Sequence, residues 1–481
     1  MIRSTALDAG GAQVLLSNDL GDYAILSADE FEAYKLAPDT MSLDRRRDLE
    51  ARSLLAEDSE RQWSQLEKAA FNTRKAFLLE GPSLHIFVVT LRCDHSCQYC
   101  QVSRASIHSG KHDMSYEDAT LAIERVFESP SQTLTIEFQG GEPSIRFDLV
   151  RYIVERAKQR NETEGRKLSF AMVSTLHHLS DEDLIFCRDH EIRISTSIDG
   201  PPELHNMNRP NPGRDAWERT VSAVENTRKI LGPEGVSALP TITRAALRNP
   251  EGLINQYRDL GFPTIFLRPI SPYGFATKTR KAIGYDMADY LRFYDQALNY
   301  ILDLNAAGEP FEETYTAILL RHILTPFHSG YLDLRSPAGA GLGVLVYNYD
   351  GRVFPADEAR MAAETGDDRF AMGKVSDPFD VLMSSEAMRW LATGAVSEHL
   401  PGCRNCAFVP YCGSDPVYHA TIHGDPAANR SGTEFCQKHT HIFQSLFRRI
   451  ATADAETMRT FVSWAMQKPR ESVPYCGWID Q

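Results

Sequence analysis

No stretch of this sequence approaches the roughly 18 uncharged apolar residues a membrane-spanning helix needs, so no membrane association is expected. The opening run Met1–Gln13 has no apolar segment behind positive charge, so no secretory signal is read and a cytoplasmic protein is expected. Basic charge is in deficit, with 51 Lys+Arg against 65 Asp+Glu and a formal net charge of −14. A surface of that sign repels phosphate backbones, and nucleic acid is not an expected partner. Internal repeats and low-complexity tracts are absent, and the 42% hydrophobic content is that of an ordinary globular chain. Cysteine is scarce, nine in 481 residues, and a reducing compartment argues against disulfides. Their distribution is informative. Cys93, Cys97 and Cys100 form one group, Cys403, Cys406, Cys412 and Cys436 a second, and Cys187 and Cys476 stand alone. Grouped cysteines in a cytosolic chain point to metal or redox chemistry.

The chain length suits one large catalytic domain with smaller appendages. Residues 1–80 open with strand-like runs at Ala12–Leu16 and Asp22–Leu26, then helical stretches at Ala28–Lys35, Leu43–Ala56 and Ser59–Leu79. From Leu84 a different texture begins. Apolar runs at His85–Leu91, Leu134–Phe138, Leu168–Val173, Ile192–Ser197, Val236–Thr243 and Thr264–Arg268 alternate with helical stretches such as Tyr116–Phe127, Asp148–Gln159 and Asp181–His190. Such alternation implies an α/β fold with parallel strands under helices, and six units suit a partial (β/α)6 barrel over residues 81–310. After the amphipathic helix Met287–Leu304, Val344–Tyr349 and Arg352–Phe354 read as a hairpin closed by Asp350-Gly351. The Pro- and Gly-rich loop Cys403–Cys412 suits backbone wrapped around a metal, and residues 311–452 are read as a second domain. Helices at Gln437–Ile450 and Ala455–Met466 follow, and residues 453–481 form a C-terminal helix and tail.

Cys93-x3-Cys97-x2-Cys100 lies directly after the first strand of the barrel-like region. Three thiolates on one tight loop can each hold one iron of a cubane cluster and leave the fourth iron open. Zinc is the other reading, but structural zinc takes four protein ligands and only His95 or His108 offers a fourth. The distal group, Cys403-x2-Cys406-x5-Cys412-x23-Cys436, suits zinc or an iron–sulfur cluster when read alone.

The first spacing, with Tyr99 just before its last cysteine, resembles the signature of the radical S-adenosylmethionine (SAM) superfamily. The resemblance implies a [4Fe-4S] cluster with an open site on Cys93, Cys97 and Cys100, and SAM bound beside it. Gly140-Gly141-Glu142-Pro143, closing the second strand, matches the family's GGEP motif, where contacts to the methionine amino group are implied. Glycines there let backbone carbonyls approach, and a carboxylate can help hold an ammonium. Ser174 after the third strand, and Ser197 and Asp199 after the fourth, resemble positions that contact ribose and carboxylate. Leu176-His177 stands where the family usually has Asn-Gly. Arg244 and Arg268, after the fifth and sixth strands, could meet the SAM carboxylate or the substrate, or serve equally in structural ion pairs. His205 and Arg209 are read as loop anchors, Cys187 as a core cysteine, and Cys476 is given no role.

Beside such a core, the distal cysteines resemble the SPASM domain, which carries auxiliary iron–sulfur clusters. The ligands of its first cluster are missing: Ala356 and Pro416 occupy expected cysteine positions, and Ser336–Val344 contains none. The survivors match the second cluster, implying one auxiliary [4Fe-4S] cluster fully ligated by Cys403, Cys406, Cys412 and Cys436. Asp357 falls where sulfatase-maturing relatives place a catalytic aspartate and is nominated as general base; a solvated aspartate in the charged run 357–360 is the equal alternative.

The resemblance is to SPASM-type peptide maturases, and Phe87–Arg104 with the short N-terminal module is similar to the His-Xaa-Ser system maturases. A winged-helix-like peptide-recognition module over residues 1–80 is implied, or else a capping extension. The implied activity is modification of a ribosomally made precursor peptide. The implied product is a side-chain crosslink of cyclophane, ether or thioether type, made with an external electron donor of flavodoxin or ferredoxin type. Oxidation of a protein residue to formylglycine is the alternative within the class. A zinc-stabilised, non-catalytic peptide-binding protein is the alternative outside it.

Overall fold

The computed structural model describes residues 1–55 and 63–473; Cys476, Ala56 and the start of the Ser59–Leu79 segment lie outside the described residues. The N-terminal part is an antiparallel sheet of β1 (Ile2–Ala6), β2 (Gln13–Asn18) and β3 (Tyr23–Ser27), with helices at Ala28–Leu36, Leu43–Ala51 and Gln65–Arg74. The strand β1 was not legible in the polar run IRSTA, where burial falls on Arg3 rather than on an apolar residue.

The main sheet begins with β4 (Leu84–Thr90), whose last six residues are all buried. That is the pattern of a parallel strand covered on both faces. It pairs in parallel with β5 (Thr133–Gly140), which is followed outward by β6 (Lys167–Val173), β7 (Ile192–Ser197) and β8 (Val236–Leu239). On the other flank of β4 comes the hairpin of β11 (Val344–Tyr347) and β12 (Arg352–Phe354), then β13 (Gly373–Lys374). The strand β11 runs parallel to β4 with Val346 opposite Ile86, while β12 returns antiparallel. The C-terminal hairpin therefore extends the barrel sheet, and Ala356, Ala359 and Met361 beyond it share an apolar cluster with Ile86 and Val88 of the first strand.

The expected fifth and sixth strands are each broken in two. Pro240 has no N–H to donate, so the ladder stops at Leu239. Beyond it β9 (Thr241–Ile242) pairs with β10 (Arg268–Pro269), and Thr264–Ile265 pairs separately with Glu312–Glu313. Helices cover the outer face. Tyr116–Glu128 is capped by Ser115 and buries Ala119, Ala122, Ile123, Val126 and Phe127, the stripe that helical periodicity predicts.

The N-terminal sheet docks on the loop that carries the distal cysteines. Ser17 Oγ donates to the Ala407 carbonyl at 2.6 Å, Arg3 Nε to the Arg404 carbonyl at 2.8 Å, and Tyr411 Oη to the Gly21 carbonyl at 3.1 Å.

Candidate active site

Alternate residues of successive strands face one cavity of about 590 Å³: Leu84 and Ile86, Glu137 and Gln139, Ser195 and Ser197, Leu239 and Thr241. This period of two identifies the space as the interior of the partial barrel. Cys93, Cys97 and Cys100 line the same cavity, as do Tyr99, Gly140, Gly141 and Asp357.

The cysteine loop is clamped on three sides. A two-residue ladder sets Arg92 and Cys93 against Ala105 and Ser106. Glycine is required at 274, where φ is +61° and a Cβ would sit 2.3 Å from the Gln101 carbonyl. This lets Phe275 N–H donate to the Cys100 carbonyl at 2.8 Å and Thr279 Oγ1 to the Gln98 carbonyl at 2.7 Å. Burial, reinforced by the neighbouring Cys100 thiol and Asp199, pushes the Cys97 thiol up to about 12 despite Arg209. A thiol in that state gives up its proton readily only to a metal.

Tyr99 is the pivot beneath the loop. Its hydroxyl lies 2.7 and 2.9 Å from the two oxygens of Asp199, and Arg209 Nη1 donates to it at 2.8 Å. Burial raises the Asp199 carboxyl above its ordinary value, against the pull of Arg209, Tyr99 and the Thr241 N–H. Asp199 thus sits behind Tyr99 and is not among the cavity-lining residues, whereas Arg209 is.

Glu142 is fully buried and ties the second strand end to the third. It accepts from Ser174 Oγ at 2.6 Å, from Thr175 N–H at 2.6 Å, and from the N–H of Ser144 at 3.0 Å. Ser174 is spent on this network, and Thr175 lines the cavity in its place, beside Ser197 from the next strand. Pro143 is buried at the start of the turn Pro143–Arg146. Arg244 is a correction to the sequence reading. Its Nε donates to the Gly284 carbonyl at 2.6 Å and its Nη1 to that of Lys281 at 3.1 Å, so it caps the helix Phe275–Ile283 and does not line the cavity. Arg268 does line it.

The departure at Leu176-His177 has a structural counterpart. Asp94, beside Cys93, lies 3.0 Å from His95 Nδ1, 3.3 Å from His177 Nδ1 and 3.2 Å from His178 Nε2. His177, in the pair that stands where the family has Asn-Gly, and His178 after it therefore bind the cysteine loop to the segment after the third strand.

The distal thiols converge as well. Burial, with Cys406 and Cys436 nearby, pushes Cys403 up to about 11, and Cys412 is raised by burial and by the other three. Cys436 sits in the first turn of the helix Glu434–Thr452, its N–H bonded to the Thr433 cap at 3.2 Å. A tetrahedral zinc site would hold thiolates about 3.8 Å apart, from a Zn–S bond of about 2.3 Å. Among the described residues, the only three donors within 4.8 Å of one another are Cys93, Asp94 and His95. Neither cysteine set, among the described residues, brings three sulfurs that close together.

Three free thiols on a loop after the first parallel strand, beside a buried carboxylate turn, are an arrangement that suits an iron–sulfur cluster. Residues 87–243 match the Radical SAM superfamily, and the chain carries a radical SAM domain. The cysteine-type anaerobic sulfatase-maturating enzyme of Clostridium perfringens is 23% identical over 304 residues, covering 61% of this chain and 78% of that enzyme. With other curated relatives the match spans 69%, 31% and 55% of their lengths. Among solved structures, anSMEcpe with bound AdoMet superposes with a TM-score of 0.63 at 18% identity, covering 76% of this chain and 97% of that one. Streptococcus suis SuiB bound to its precursor peptide SuiA gives 0.54 at 13% identity, covering 91% and 98%. At these identities the likenesses establish the fold. The match to the Radical SAM superfamily, not these likenesses, is what points to an iron–sulfur cluster and SAM as cofactors.

Sequence reasoning missed Glu137, Asp333, Glu358 and Asp415, which line the cavity as carboxylates. They lie far apart in the chain and belong to no motif, and only the fold brings them together.

Proposed function

We propose that this chain is a radical SAM maturase that joins two side chains of a ribosomally made precursor peptide. The observation carrying this reading is a single cavity that reaches from the Cys93–Cys100 loop to Asp357. The likeness to a sulfatase-maturating enzyme and to a protein solved with a precursor peptide supports a peptide or protein substrate. When bound, the cluster and SAM supply a 5′-deoxyadenosyl radical able to take a hydrogen atom from a side chain. The chain's own residues do the rest. Gly140, Gly141 and the Glu142 network shape the SAM-side wall, Ser197 and Thr175 offer hydroxyls there, and Tyr99 fixes the loop. The barrel wall excludes solvent from the reacting atoms. Asp357 would take the proton released as the new bond forms, and the electron left behind would pass to the auxiliary cluster that Cys403, Cys406, Cys412 and Cys436 would hold. The buried Arg360, its Nε 3.2 Å from Asp357 Oδ1, orients that carboxylate. Reducing electrons come from an external flavodoxin- or ferredoxin-type donor in the cytoplasm. No helix among the described residues is long and apolar enough to cross a membrane.

Co-expression with a short peptide encoded beside the gene, followed by mass spectrometry, tests the reading. A product lighter by two hydrogens with fragmentation blocked between two residues is expected. A product lighter by two hydrogens that reacts with a hydrazide, its sulfur also replaced by oxygen when it comes from cysteine, would instead establish aldehyde formation, the formylglycine alternative. An unmodified peptide beside an enzyme that cleaves SAM would sink the crosslinking assignment.

A further inference from the structure

Among the described residues four arginines are buried: Arg3, Arg335, Arg360 and Arg430. Three of them have evident partners. Arg3 has Asp19 at 2.6 Å, Arg360 has Asp357 at 3.2 Å, and Arg335 lies over the Phe77 ring, 4.9 Å from its centroid. Arg430 is 1% exposed, and no carboxylate oxygen of the described residues lies within 4.0 Å of it. Its guanidinium is held by main-chain oxygens alone. Nε donates to the Ser414 carbonyl at 3.2 Å, Nη2 to those of Pro426 at 2.6 Å and Gly394 at 3.3 Å, and Nη1 to that of Ala428. Carbonyls satisfy its N–H groups but leave its charge unmatched, and a buried charge without a counter-ion is strongly disfavoured. An anion is therefore called for beside it.

The surroundings say which anion. Arg430 lies where the stretches bearing the distal cysteines meet. Its own N–H reaches the Pro401 carbonyl at 3.5 Å, just ahead of Cys403, and Ser414 follows closely on Cys412. Gly402, with φ of +80°, packs so tightly on this segment that a Cβ would sit 2.5 Å from Asn429 Oδ1 and 3.0 Å from Ser431 N. Beyond Ser431 the chain runs into the helix that carries Cys436. Burial pulls the Arg430 guanidinium below its ordinary pKa, and Cys403 opposes this more than Asp415 or Asp425 does. The strongest opposite charge it meets is thus a distal thiolate and not a carboxylate.

Four thiolates around a cubane leave it net negative, and uptake of an electron adds one further negative charge with no bond made or broken. A buried cation beside it favours the reduced form over the oxidised one, in surroundings that screen charge far less than water. Net charge is one of the levers that set a cluster's potential.

We infer that Arg430 is the counter-charge of the distal cluster and raises its reduction potential, so that the cluster takes up the electron left by bond formation. The inference rests on the auxiliary cluster of the proposed function and adds the residue that tunes it. Arg430 does not line the cavity and acts only through the cluster.

The test is a redox titration followed by electron paramagnetic resonance. It uses the full-length, anaerobically reconstituted Cys97→Ala protein as parent, in which the distal cluster gives the signal. Arg430→Gln removes the charge, whereas Arg430→Lys keeps it and gives up most of the carbonyl bonds. Reduction is expected to become about ten-fold less favourable in Arg430→Gln, a potential lower by about 59 mV for one electron, and to stay within about two-fold of the parent in Arg430→Lys. Iron lost from Arg430→Gln but kept by Arg430→Lys supports the inference as well, since an anionic cluster would then lack its counter-ion. A parent-like potential in Arg430→Gln overturns it. So does a shift as large in Arg430→Lys, or iron lost from both variants, because Arg430 would then be a staple for the main chain and nothing more. A parent that holds only zinc, or no metal, overturns the auxiliary cluster itself and the inference with it.

Discussion

The Tyr99 hydroxyl bridges both oxygens of Asp199, at 2.7 and 2.9 Å, from the loop that carries Cys97 and Cys100. Arg209 donates to the same hydroxyl, so a buried carboxylate and a half-buried guanidinium meet through one phenol. Removing the hydroxyl leaves both charges short of a partner, at a cost of about 2 kcal/mol for a charge-assisted hydrogen bond. Tyr99→Phe should therefore lower unfolding stability by about that amount in urea. It should also release iron faster than the wild type under chelator, because the loop loses its anchor. A variant that melts and holds iron like the wild type would show that Asp199 and Arg209 pair directly once the phenol is gone.

Gly141 permits a closer approach than any other residue could. A Cβ there would sit 2.3 Å from the Arg92 carbonyl and 2.4 Å from that of Leu91, on backbone leading into the cysteine loop. Neither carbonyl can yield without moving Cys93. Gly141→Ala should weaken SAM binding by about ten-fold or more, measured by calorimetry on the anaerobic enzyme, with smaller effects on overall melting. Retained affinity would mean that the turn is merely a tight connection.

Two thiol groups predict two clusters. Reconstituted protein should be brown and hold about eight irons per chain, falling to about four in Cys97→Ala and about four in Cys406→Ala. Cys97→Ala should also end 5′-deoxyadenosine formation. A colourless wild-type protein holding two zincs would overturn both cluster assignments.

The Cys93–Cys100 set and the GGEP turn were legible because their chemistry depends on short spacings within one loop. The barrel was legible for a similar reason, since buried parallel strands leave continuous apolar runs such as Phe87–Val89. What the chain order hides is assembly across distance. Pro240 splits a strand that reads as continuous, because a missing N–H matters only where a ladder partner needs it. Arg244 reads like a ligand-binding arginine at a strand end, yet the carbonyls that claim it belong to a helix about forty residues away. The carboxylates of residues 333, 358 and 415 line one cavity, and nothing in the spacing of those positions announces it.

Lys75 and Glu398 join the N-terminal part to the segment before the distal cysteines, with Nζ and Oε1 2.9 Å apart. Ser336 adds a hydroxyl to the same carboxylate, and its own carbonyl accepts from Lys75. Burial alone would raise the Glu398 carboxyl, but the Lys75 charge and these hydrogen bonds bring it below its ordinary value. A carboxylate lowered on folding adds stability that is fully present above its unfolded pKa, about 4.3, and is lost as pH falls through the folded value. Lys75→Met should therefore destabilise the protein by about 1 kcal/mol at pH 7, since the pair is only partly shielded from solvent. Urea melts of both proteins between pH 3 and 7 should show that gap closing on the acid side of about pH 4. A gap that stays constant down to pH 3 would mean that Lys75 acts through its bond to the Ser336 carbonyl and not through Glu398.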